Sequence, residues 1–221
     1  QVSGPGLARF ADSNAPATTV TFSQTGVYLL RLTADDSLAS SSNQVTISVD
    51  AAPVVSVSGD QLITFPASAN LPATVTDDGL PDGAALTHQW TLVNGPGTVN
   101  FGDTSALSTS ATFSEPGSYL LRLAASDSLL SSTGELVVTV NQAPAVNAGP
   151  DALAIPGGNI LLQGTVQDDG MPSNGTLTAT WTIVSGPGGA TLVTPGSPIT
   201  QASFDVEGSY VLRLTASDSL A

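Results

Sequence analysis

Aspartates recur at three places along this chain, and their carboxylates are its most regularly placed reactive groups. One group is the pair Asp77 and Asp78 with Asp82 nearby, repeated as Asp168 and Asp169. A second is the Asp-Ser-Leu triplet that begins at Asp36, Asp127 and Asp218. The third is a single position, Asp50, matched by Asn141. Carboxylates gathered on an already acidic surface repel one another unless a cation or hydrogen bonds intervene. An all-oxygen ligand set favours calcium, whereas zinc is disfavoured by the absence of cysteine and the isolation of the one histidine, His88. The competing reading is that the same aspartates cap turns through Asx hydrogen bonds.

Other chemistry is thinly represented. A hydrolase needs a nucleophile beside a base, or two carboxylates flanking a cleft. His88 has no motif around it and its counterpart one repeat later is Ala179, so it reads as an outward-facing strand residue and the chain as non-catalytic. Asp60 and Asp151 read as turn formers, and Arg31, Arg122 and Arg213 as outward cations in exposed ion pairs. The sequon Asn174-Gly175-Thr176 is a glycosylation signal only in a source that modifies asparagine.

What must position the aspartates is a repeat. Gly4, Gly95 and Gly186 open the same Gly-Pro-Gly turn, and Tyr28, Tyr119 and Tyr210 open the same Tyr-Leu/Val-Leu-Arg-Leu strand, each step being 91 residues. Trp90 and Trp181 keep that interval, as do Pro53 and Pro144. The 221 residues therefore divide as 1–50, the C-terminal part of a first repeat; 51–141, a complete repeat; and 142–221, a third lacking its last strand. This truncation at both ends leads us to expect a window from a longer array.

Short alternating segments between Gly, Pro, Asn and Asp turns predict all-β, tandem immunoglobulin-like antiparallel β-sandwiches of about seven strands each. In the middle repeat the strands fall near 54–57, 71–75, 87–93, 110–113, 117–124 and 134–140, with a weaker one at 62–65. Alternation turns Trp90, Tyr119, Leu121 and Leu123 inward, to pack with Val138 and Val140, and makes Tyr119 a candidate tyrosine corner. In this topology the aspartate-bearing loops and the domain entrance share one end of the sandwich. The candidate ligands are then Asp50, Asp77, Asp78 and Asp127 at the first junction, and Asn141, Asp168, Asp169 and Asp218 at the second.

The formal charge of −14, from eighteen acidic residues against four arginines and no lysine, argues against nucleic acid or anionic membrane as partner. No apolar run approaches the ~20 residues that span a bilayer. Without cysteine no disulfide supports the sandwiches, so their own cores must suffice.

The runs NQAPAVNAGPD, VQDDGMPSNGTLTATWTIVSGPG and EGSYVLRLTASDSL resemble the PKD (polycystic kidney disease) domain family, in a variant carrying W-x-x-V-S-G-P-G. The resemblance covers the full 91-residue period. It departs from the better-known WDFGDG pattern, for here the tryptophan is followed by TLVNGPG or TIVSGPG. Such a resemblance implies an extracellular or cell-surface protein, and calcium at this end of the domain, as in the PKD domains of secreted collagenases. The expected function is a structural segment of a fibre, stalk or surface adhesin, its partners being adjacent repeats and other copies in a filament. The alternative is an ancillary module of a secreted chitinase or collagenase.

Overall fold

The computed structural model describes residues 1–220 and contains strands but no helix among them, so no helix there is long and apolar enough to cross a membrane. The first segment holds β1 (Ala8–Phe10), β2 (Val20–Phe22), β3 (Gly26–Asp35) and β4 (Ser40–Val49). The middle segment holds β5 (Val54–Val57), β6 (Gln61–Thr64), β7 (Ala69–Leu71), β8 (Ala73–Thr76), β9 (Thr87–Asn94), β10 (Val99–Phe101), β11 (Thr109–Phe113), β12 (Gly117–Ser126) and β13 (Ser131–Asn141). The third holds β14 (Ala145–Asn147), β15 (Asn159–Gln163), β16 (Thr165–Gln167), β17 (Thr178–Ser185), β18 (Ala190–Leu192), β19 (Ile199–Phe204) and β20 (Val211–Ser217).

In the middle segment one sheet runs β6-β13-β12-β9 and the other β10-β11-β7, with β5 paired to β8. All pairings are antiparallel except β13 with β6, which places a parallel strand at that edge. The nine strand segments exceed the expected seven for two physical reasons. Pro72 has no N–H to donate, so the expected strand 71–75 breaks into β7 and β8 around it. The short β10, absent from the sequence expectation, is held as a strand only by its partner β11, with Val99 opposite Phe113.

Period-two alternation decides the core. Leu121 and Leu123 pair with Leu92 and Trp90 across β9, and Tyr119 with Val138 across β13. Trp90, Tyr119, Leu121, Leu123, Val138 and Val140 are buried in one cluster with Leu71 and Phe113, as the alternation requires. Each such side chain contributes about 1.5–3 kcal/mol on burial. In the first segment Tyr28 and Leu30, the counterparts of Tyr119 and Leu121, are buried too, but the next inward position is not. Leu32 is 57% exposed against 0% for its counterpart Leu123, since beyond the short bridge of Ser3 to Leu29 no strand like β9 runs beside β3.

The Gly-Pro-Gly turn and the tyrosine recur together because they touch. Tyr119 donates its hydroxyl to the Glu115 carbonyl at 2.8 Å, and Tyr28 and Tyr210 do the same to Gln24 and Val206. The ring then lies flat over Gly95, where any Cβ would overlap its edge; Gly4 and Gly186 stand in the same relation to Tyr28 and Tyr210. Gly117, at φ +139°, brings the chain over Pro96 to begin β12, so each glycine of the pattern is there for close approach or backbone angle. This is the tyrosine corner the sequence suggests.

Candidate metal centre at the repeat junctions

The loop between β12 and β13 is built by Asp127. Its Oδ1 accepts the Leu129 and Leu130 N–H groups at 2.8 and 2.7 Å, and Ser128 takes φ +87° to close the turn. Asp36 and Asp218 form the same turn, their Oδ1 atoms accepting from Leu38 and from Leu220. The N–H groups of Ala39 and Leu38, both donated to Asp36 Oδ1, hold the Asp36 carboxyl below its ordinary value. In the loop after β8, Asp77 Oδ2 accepts from Gly79 N–H, while Asp78 accepts from Leu80 on one oxygen and from Ala51 on the other. Asp168 and Asp169 repeat this, with Asp169 reaching Gln142 N–H at 3.0 Å. Asp78 and Asp169 thus engage both oxygens and tie the aspartate loop to the start of the domain.

The turn-capping chemistry therefore accounts for one oxygen of Asp77, Asp127 and Asp168 and leaves the other over. Asp77 Oδ1, Asp127 Oδ2, Asp168 Oδ1, both oxygens of Asp50 and Asn141 Oδ1 are buried from water without a hydrogen-bond partner. Asp127 is only 2% exposed. Such groups are costly to leave unmade, about 1–3 kcal/mol each and more when charged. At the first junction desolvation pushes the Asp50 carboxyl up, and the nearby charges of Asp127, Asp78 and Asp77 add to it. Asp77, Asp78 and Asp127 thus each lie near enough for their charge to act on Asp50.

The second junction is arranged differently. Asn141, fully buried at the end of β13, donates its Nδ2–H to Asp218 Oδ2 at 2.7 Å. Asp168 and Asp218 line one side of a pocket of about 270 Å³ together with Met171 and Pro172. Among the described residues no three Asp, Glu, His or Cys side chains converge closely enough to form a metal site on their own. An ion at either junction would take the rest of its shell from carbonyl oxygen, Asn141 and water, as calcium does with its six to eight oxygen ligands.

The remaining candidates settle into structural roles. Asp82 is exposed. Asp60 is more than a turn former: its Oδ1 accepts the Val137 N–H at 2.8 Å and so ties the start of β6 to β13. His88 does not face outward as expected; two residues from Trp90 in β9, it lies on the same face, half-buried opposite Ala125. Arg122 pairs with Glu135 at 2.6 Å in an exposed bridge, and Arg31 stands opposite Gln44, where no charge answers it. A groove of about 590 Å³ in the third segment lies between Leu153, Ile155, Trp181 and Leu212. Sequence reasoning missed the donor role of Asn141, whose signal was the exchange of Asp50 for Asn one repeat later.

Residues 58–140 match the family model described as K319L-like, PKD domain. Among solved structures, a titin fragment of domains I67–I69 aligns with 98% of this chain and 78% of its own, at 12% identity and a TM-score of 0.50. That likeness shows a shared succession of immunoglobulin-like folds. The PKD domain of human KIAA0319 aligns with 45% of this chain and 88% of its own at 21% identity, with a TM-score of 0.35. The PKD domain of the KIAA 1837 protein aligns with 44% and 91%, respectively, at 20% identity and a TM-score of 0.31.

Proposed function

We propose, from the match of residues 58–140 to the K319L-like PKD domain model, that the chain is a non-catalytic, extracellular spacer. It is a segment of a fibre, stalk or surface adhesin, made of repeats spanning 1–50, 51–141 and 142–221, whose joints are stiffened by calcium. The observation that carries this reading is the joint itself. Only three residues separate β13 from β14, and four separate β4 from β5. Pro53 and Pro144 restrict those few residues further, leaving little freedom to bend. Buried carboxylate oxygens without partners at the same joints are what a calcium ion would satisfy.

Small-angle scattering of the 221-residue chain tests the reading. A compact globule of this length has a radius of gyration of about 17 Å. An end-to-end array exceeds that by roughly half or more, the more so in millimolar calcium, and chelation increases its bending and lowers the melting temperature. A compact particle refutes the spacer, and a particle indifferent to both calcium and chelator refutes the stiffening.

A further inference from the structure

A buried amide is costly unless its N–H finds an acceptor, and for one side chain of the middle repeat that acceptor lies in the next repeat. Asn141 is the last residue of β13 and is wholly buried. Its backbone serves its own repeat: it pairs with Thr64 of β6, and its carbonyl accepts the Phe65 N–H at 2.7 Å. Its side chain crosses the boundary. The Nδ2–H donates to Asp218 Oδ2 at 2.7 Å, and the amide turned over would set oxygen against a carboxylate, so charge fixes the direction of the bond. Asn141 Oδ1 is left without a partner, so the side chain spends its hydrogen bonding on the neighbouring repeat alone. Asp218 is buried too and directly follows β20, its Oδ1 closing the turn to Leu220. The bond therefore joins the end of the β6–β13 pair to the end of the β17–β20 pair.

We infer that the Asn141–Asp218 bond links the middle and third repeats into one cooperative folding unit, so that loss of structure in either is felt in the other. In a tandem array stability is approximately the sum of the repeats and of the contacts between neighbours, and this bond belongs to the second kind. It exists only while both repeats are folded. Each is therefore more stable beside a folded neighbour than beside an unfolded one, by what the bond contributes. That contribution is large for a single contact, because a hydrogen bond to an ionised acceptor is of the strong, charge-assisted kind and both partners here are shielded from water. The first boundary has no counterpart to it. Position 50 is aspartate, whose side chain has no N–H to give, and both its oxygens and Asp127 Oδ2 are without a partner. The last residue of a repeat thus decides, as Asn or Asp, whether the next repeat is tied to it by this bond.

Hydrogen exchange of the full chain, read by mass spectrometry in excess chelator, tests this independently of the calcium reading, which the scattering experiment addresses. Asn141→Ala is expected to speed exchange of the β20 amides, in the repeat it does not belong to, by about tenfold to a hundredfold, the range for a hydrogen bond to a charged group. Asp218→Ala is expected to do the same to the β13 amides. In the double variant the two losses do not add, since either substitution already removes the whole bond. Effects confined to the repeat that carries the substitution overturn the inference, and so do losses that add in the double variant. Each single variant is read in the repeat whose sequence it leaves intact, so if one of them fails to fold the other decides.

Discussion

Truncation of Trp90 to alanine should cost the middle domain about 3 kcal/mol, toward the lower end of the 3–5 kcal/mol typical of buried aromatics. The starting magnitude comes from burial: the indole is 1% exposed and packs in the cluster formed by Leu71, Leu121, Leu123 and Val138. Large aromatic side chains bury about 150–250 Å², which at about 25 cal/mol per Å² is on the order of 4–6 kcal/mol lost. One feature of this tryptophan lowers the figure. Its Nε1–H is buried without an acceptor, whereas Trp181 donates the same atom to the Pro198 carbonyl at 2.9 Å. Removing an unsatisfied donor returns about 1–3 kcal/mol of desolvation. The measurement is native-state hydrogen exchange of the β12 and β13 amides, which follows the middle repeat separately from its neighbours. Far-UV circular dichroism during denaturation provides the second readout. A loss below about 1 kcal/mol would mean that the cluster around Trp90 is not the core of the domain.

Two smaller perturbations probe the parts of the fold that the repeat preserves. Gly95→Ala should destabilise the middle domain by about 1–3 kcal/mol, because the new methyl overlaps the Tyr119 ring; thermal unfolding that is unchanged would show that the corner has room to move. Arg122→Ala should change stability by less than about 1 kcal/mol, with the difference shrinking further in high salt, since the bridge to Glu135 is exposed on both sides; denaturant midpoints at two ionic strengths measure it.

The sequence by itself carried the parts of this protein that depend on periodicity. A 91-residue spacing without insertions made the repeat visible, and alternation along Tyr-Leu-Leu-Arg-Leu placed Tyr119, Leu121 and Leu123 on the face that is in fact buried. Both signals are local, since a strand's side chains alternate whatever lies beside it. The same rule, followed through β9, would have placed His88 with Trp90 instead of facing outward. What the tertiary structure alone decided are the matters of pairing. The three residues of β10 are a strand because β11 lies next to them, and Asp60 finds its donor at Val137, 77 residues away. The candidate site divides along the same line. Which residue types recur near the junctions was legible from composition and spacing. Which oxygen of each aspartate is consumed by a turn was not, nor was the reach of Asn141 across 77 residues to Asp218. A carboxylate has two oxygens and a sequence has no means of saying which one the backbone takes. That choice is made by the angle at which distant loops meet, and it determines which oxygens remain without a hydrogen-bond partner.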